Sequence, residues 1–99
     1  MSVEQPPLVS IIIPVKNEGD NVRTTITSLV NARTNMTYEV IVVDDASTDN
    51  GCHFLRNQEN PSNIKLITTE GIGAAAARNL GVDHAQGRFL IFCDAHLAF

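Results

Sequence analysis

Apolar residues in this chain fall into short continuous blocks, and the segments between them carry helical spacing. "LVSIIIP" is a near-continuous β-branched run, which predicts a strand buried on both faces over 8–13, stopped by Pro14. In "DNVRTTITSLVNAR", Val22, Ile26, Leu29 and Val30 share one helical face. "YEVIVVD" predicts a second buried strand, 38–43. "STDNGCHFLRNQEN" predicts a helix opened by a Ser47 or Thr48 cap, with Gly51 as its weak point. "NIKLITT" predicts a third strand, 63–68, and "GAAAARNLGVDHAQG" a helix over about 73–86. Ala77, Gly81 and Ala85 lie four apart, so that helix can approach a sheet closely. "RFLIFCD" predicts a fourth buried strand, 88–93.

The order is β-α-β-α-β-α-β. Parallel strands need such crossovers, and the crossovers are right-handed. The expected fold is α/β: a Rossmann-like open parallel sheet with helices on both faces. Ligands of such sheets bind at the carboxyl ends of the strands, where strand order reverses. Residues 1–7 read as a loose lead-in, and 8–99 as the folded part.

Composition narrows the functional classes. The 99 residues suit one small domain, and the apolar share of 43% includes no tract long enough to span a bilayer. "MSVEQPPL" lacks the basic and apolar regions of a signal peptide, so a soluble, cytoplasmic chain is expected. The net charge of -4, without a basic stripe or aromatic platform, argues against a nucleic acid polymer as partner. Cys52 and Cys93 have no metal-type spacing, and Cys93 reads as a plain buried thiol.

Three strands run into polar segments: "PVKNEGD", "DDASTD" and "DAH". Ser47, Thr48 and Asp49 suit helix capping, but Asp44 and Asp45 are poorly explained by it. Two adjacent carboxylates repel unless a cation or donor offsets them, and the N–H groups of a nucleobase would do so. Asp94 and His96, at i and i+2, are either an ordinary turn or a mixed oxygen–nitrogen site for a divalent ion. With imidazole present, the ion would lean from Mg²⁺ toward Mn²⁺. His53 and His84 read as surface residues of the second and third helices. Arg78, in the first turns of the third helix, is either a solvated cation or a phosphate partner. "GIGAAAARN" lacks both the G-x-G-x-x-G pattern after the first strand and a P-loop lysine.

Taken in order, "VSIIIPVKNE", "EVIVVDDASTD", "GAAAARNLG" and "GRFLIFCDAH" resemble the successive signatures of family-two glycosyltransferases, which have the GT-A fold. The resemblance spans about residues 8 to 96. It implies transfer of a sugar from a nucleotide-diphosphate sugar, UDP-linked, with a divalent cation as cofactor. It places Pro14, Asn17 and Glu18 near the nucleoside and makes Asp45 the acceptor of a base N–H. Asp44 then shapes that pocket, and Arg78 lies near the diphosphate. Asp94 and His96 fall on the family's D-x-D metal motif, with His as its third residue. That variant is similar to the D-x-H of polypeptide N-acetylgalactosaminyltransferases. Ala76 stands where that subfamily carries another arginine, so its donor sugar is not carried over.

In the family, the acceptor site and any catalytic base follow the metal-binding strand. The resemblance therefore implies a nucleotide-sugar-binding part, truncated at its C-terminus, with catalytic residues beyond Phe99. Such a piece alone is expected to bind nucleotide without transfer, and to self-associate through exposed sheet edges. The competing reading is a module that holds a nucleotide without turnover. A phospho-acceptor receiver domain would need its acidic pair after the first strand and a late lysine. A nucleotidyltransferase would need a glycine-rich basic loop there.

Overall fold

The computed structural model describes residues 6–32, 35–57 and 63–95. β1 (Val9–Val15), β2 (Tyr38–Asp45), β3 (Ile64–Thr69) and β4 (Phe89–Phe92) alternate with α1 (Asn21–Asn31), α2 (His53–Asn57) and α3 (Ala74–His84). The strands form one parallel sheet in the order β3-β2-β1-β4. The chain steps outward from β1 to β3, then crosses back to add β4 on the other side of β1. With right-handed crossovers, this reversal puts α1 and α2 on one face and α3 on the other. The expected α/β fold is observed.

Side-chain alternation assigns each strand residue to a face. Val9, Ile11, Ile13 and Val15 of β1 pack with Val40 and Val42 of β2 against Val22, Ile26, Leu29 and Leu55. Ile41 and Val43 pack against Ala77 on the α3 face, where Ile12 is fully buried. α3 meets the sheet through Ala77, Gly81 and Ala85, as their spacing predicts. A Cβ on Gly81 would lie 2.5 Å from the Ile12 side chain, so the residue is small because two layers touch there.

Several elements depart from the sequence reading. β1 continues through Pro14. The amide of Cys93 donates to the carbonyl of Ile12, so even-numbered residues of β1 turn their backbone groups toward β4. The last β1–β4 pair is Ile12↔Phe92, so the N–H that Pro14 lacks falls past the end of that ladder. Val30 is 48% exposed, and Thr25 takes its place inside. The buried stripe is Val22, Thr25, Ile26 and Leu29, and Val30 stands about 90° from its centre. The second helix starts at His53, not at a Ser47 or Thr48 cap, because both residues are bonded to Asn17.

β4 is not a buried strand. Its four residues are 42–60% exposed, because among the described residues it pairs on one side only and the helices pack over β1 and β2. Cys93 and Ala95, just after it, return to the core. Cys93 is a buried free thiol, and His53 and His84 are exposed on their helices. Among the described residues, no helix is long and apolar enough to cross a membrane.

The Gly81 contact sets a stability test. Gly81→Val places a branched side chain against Ile12, and overpacking outweighs the gain in helix propensity. Urea unfolding is expected to show a loss of about 2 kcal/mol or more.

Candidate functional site

Strand order reverses between β1 and β4, so their carboxyl ends diverge. A cleft of about 410 Å³ opens there. Pro14, Lys16 and Glu18 line it from the end of β1, and Asp45 from the end of β2. Ala74 and Arg78 line it from the first turns of α3, and Asp94 from the segment after β4. Four segments far apart in sequence thus place cations and carboxylates around one space.

Asp45 is held in the cleft wall by three donors. Its Oδ1 accepts the Thr69 hydroxyl at 2.6 Å and the Ile72 amide at 2.6 Å, and its Oδ2 accepts the Gly73 amide at 2.9 Å. Register places Thr69 directly beside it on β3. Gly71 and Gly73 have φ of +99° and +92°, the backbone needed to turn consecutive amides onto one carboxylate. Asp45 is only 3% exposed. The Thr69 hydroxyl, then the Ile72 amide, hold its carboxyl below the usual range; burial opposes them, and the Gly73 amide and Lys16 charge add to them.

Asp44 does not share that site. Adjacent strand residues face opposite sides of a sheet. Asp44 therefore lies on the α2 face, where it pairs with Arg56 at 2.5 Å and accepts the Ser47 amide at 3.1 Å. The repulsion expected between the two carboxylates is relieved by that separation and by the protein's own donors. Asn17 also serves the framework. Its φ is +53°, and its side-chain oxygen accepts the amides of Thr48 at 2.7 Å and Asp49 at 3.3 Å. Its own amide donates to Ser47 Oγ at 3.0 Å. It shapes the loop beside the cleft rather than lining it.

Of the residues expected in the site, Pro14, Glu18, Asp45, Arg78 and Asp94 come together. His96 lies outside the described residues. Among the described residues, no three His, Cys, Asp or Glu side chains converge as a metal cage. Asp94 is an exposed carboxylate in the cleft wall. One carboxylate fits a hard divalent ion whose remaining ligands are phosphate oxygens and water, and does not suit a closed structural site.

Sequence reasoning missed Lys16, Thr69 and Glu39. Lys16 stands two residues past Pro14 as a cation at a strand end, which was signal enough. Thr69 gave no signal until pairing set it beside Asp45. Glu39 is buried at the other end of β2. It accepts the Ser10 hydroxyl and the Gln86 amide, each at 2.6 Å, and pairs with Lys65 at 3.0 Å. Burial raises its carboxyl, but Ser10, the Gln86 amide and Lys65 together bring it below the usual value. Neither thiol is a nucleophile candidate. Burial first, then the charge of Asp44, pushes Cys52 up to about 12, and burial raises Cys93.

The model for "Glycosyl transferase family 2" matches residues 10–99. The chain belongs to that family. It is 38% identical over 88 residues to the uncharacterized glycosyltransferase YibD of Escherichia coli K12, covering 88% of this chain and 25% of that protein. It is 40% identical over 89 residues to WfgD of Escherichia coli, a UDP-Glc:alpha-D-GlcNAc-diphosphoundecaprenol beta-1,3-glucosyltransferase. That match covers 89% of this chain and 34% of WfgD.

Solved structures agree. S. aureus TarS 1-349 in complex with UDP-GlcNAc superimposes with a TM-score of 0.76 at 29% identity, over 89% of this chain and 26% of that one. The mannosyltransferase PcManGT of Pyrobaculum calidifontis, in complex with GDP-Man and Mn²⁺, gives 0.81 at 26% identity, over 96% and 29%. The chain thus spans between 25% and 34% of the length of these relatives. This cleft belongs to a glycosyltransferase family whose solved neighbours include complexes with nucleotide sugars, among them one that also holds Mn²⁺.

The carboxylates of this family member predict its acid response. Asp45 and Glu39 both titrate lower when folded than the 3.8 and 4.5 of the free side chains. As the pH falls, the unfolded chain takes up the protons first. Each group therefore contributes stability that is complete above the unfolded value and is lost as pH drops through the folded one. The urea midpoint is expected to hold near neutrality and fall once the pH passes below 4.5. Asp45→Asn should lower the midpoint at pH 7 and flatten part of that acid slope.

Proposed function

We propose that this cleft binds a UDP-linked sugar, and that the protein transfers the sugar to an acceptor with a divalent cation held at Asp94 and His96. The observation that carries the reading is the convergence of Asp45, Lys16, Arg78 and Asp94 around the start of α3. Asp45 receives an N–H of the base. Pro14 and Glu18 form the wall beside the nucleoside, while Asn17 and Asp44 hold the adjoining loops in shape.

The diphosphate lies toward Arg78 and the first turn of α3. Gly73 provides no side-chain cap, and that turn carries no acidic residue. Its amides are thus open to an anionic ligand, and the helix dipole favours one. Lys16 adds a second cation on the facing wall. Against them stand Glu18, Asp45 and Asp94, whose charge would repel a bare diphosphate. A divalent cation at Asp94 offsets that repulsion and, when bound, neutralises charge on the departing nucleoside diphosphate. The imidazole of His96 favours Mn²⁺ over Mg²⁺.

Amide NMR during titration with uridine diphosphate tests this reading. Shifts are expected at Lys16, Asp45, Gly73, Arg78 and Asp94, with Arg78→Ala weakening binding about tenfold or less, as suits a partly solvated contact. Manganese added with the nucleotide should broaden the resonances around Asp94, and Asp94→Ala should remove that broadening. Unmoved spectra at millimolar nucleotide would refute the assignment.

A further inference from the structure

The fold itself does not choose the base. Its solved neighbours include one complex with UDP-GlcNAc and one with GDP-Man. The choice has to come from side chains at the end of β2, and the donor count on Asp45 supplies a basis for it.

A carboxylate offers about four acceptor positions, two on each oxygen. On Asp45 the two positions of Oδ1 are filled, one by the Thr69 hydroxyl and one by the Ile72 amide. The Gly73 amide takes one position of Oδ2. Among the described residues' donors, a single position is left, on Oδ2. Uracil presents one N–H flanked by two carbonyls, so it needs one acceptor position. Guanine presents two adjacent N–H groups, which take a carboxylate with one bond to each oxygen, in the manner of an arginine fork. With Oδ1 saturated, the second of those bonds cannot form, and the guanine amino group is left without its partner.

Resting on the reading that Asp45 receives the base, we infer that Thr69 sets base specificity. By filling Oδ1 together with the Ile72 amide, it restricts Asp45 to a single-donor base and selects uracil over guanine. Thr69 is a positioning residue, since it acts through Asp45 and not by touching the nucleotide. Its hydroxyl is held by the sheet: Asp45↔Thr69 is a paired position of the β2–β3 ladder. The saturation is therefore built into the strand register. The Lys16 cation lies in the same cleft, close enough for Asp45 to feel its charge, and suits a carbonyl beside the uracil N–H.

The test compares uridine diphosphate with guanosine diphosphate on the 99-residue chain, by amide NMR titration of the wild type, Thr69→Val and Thr69→Ser. The wild type should prefer the uridine nucleotide by about tenfold or more, the usual effect of a missing bond to a charged acceptor. Thr69→Val frees one position on Oδ1, and the preference should collapse to about threefold or less. Thr69→Ser keeps the hydroxyl and should restore it. The Asp45 carboxyl, followed by its ¹³C shift, should titrate higher in the valine variant and not in the serine variant. If the valine variant lacks dispersed native spectra, Thr69→Ala removes the same hydroxyl with less bulk and stands in for it. An unchanged nucleotide ratio in the folded hydroxyl-free variant, with Asp45→Asn still abolishing the preference, would overturn the role of Thr69 while leaving Asp45 as the base acceptor. Unchanged affinities for both nucleotides in Asp45→Asn would overturn the base reading, and this inference with it.

Discussion

Three donors meet the Asp45 carboxylate, and they come from two places: the neighbouring strand, through Thr69, and the connection to α3, through the amides of Ile72 and Gly73. These bonds bend the β3–α3 connection back over the end of β2. They decide where α3 begins, and so where its uncapped first turn points. Backbone amides need acceptors, and here a side chain provides them at a sheet edge where no ladder continues. The cleft, its charge and the placement of Arg78 all depend on this contact.

The same strand holds the other end of the crossover. Glu39 and Asp45 lie six residues apart on one face of β2. Glu39 accepts the Gln86 amide just past the end of α3, and Ser10 accepts the Gly87 amide at 2.8 Å. α3 is thus fastened at both ends by carboxylates of a single strand. Between them its contact with the sheet is apolar, with Ala77 packed on Ile41 and Val43 and Gly81 set against Ile12. Polar bonds fix position along the sheet, and small residues permit the close approach that lets them form.

The opposite face uses the same device with different parts. Asp44 ties β2 to Arg56, and Asn17 ties the loop after β1 to the loop after β2. The two acidic residues that end β2 therefore perform separate tasks. One secures the α2 layer, and the other faces the cleft. A functional pair in sequence is a divided pair in space, because each residue of a strand points away from its neighbour.

Periodicity alone determined the alternation of strands and helices, the parallel sheet and the contact face of α3. Hydrophobic blocks and small-residue spacing are local properties, and burial acts on them directly. The polar segments at three strand ends marked the neighbourhood of the site for the same reason. What only the tertiary structure decided was partnership. Pro14 looked like a stop until the ladder beside it proved to end first. "FLIF" looked buried until the strand order placed it at an edge, with the helices over β1 and β2. Thr69 carried no signal until register set its hydroxyl on Asp45. Hydrogen bonds between residues 24 and 47 positions apart, as for Asp45 with Thr69 and Glu39 with Gln86, depend on which strands become neighbours and at what offset. No short window of sequence contains that information.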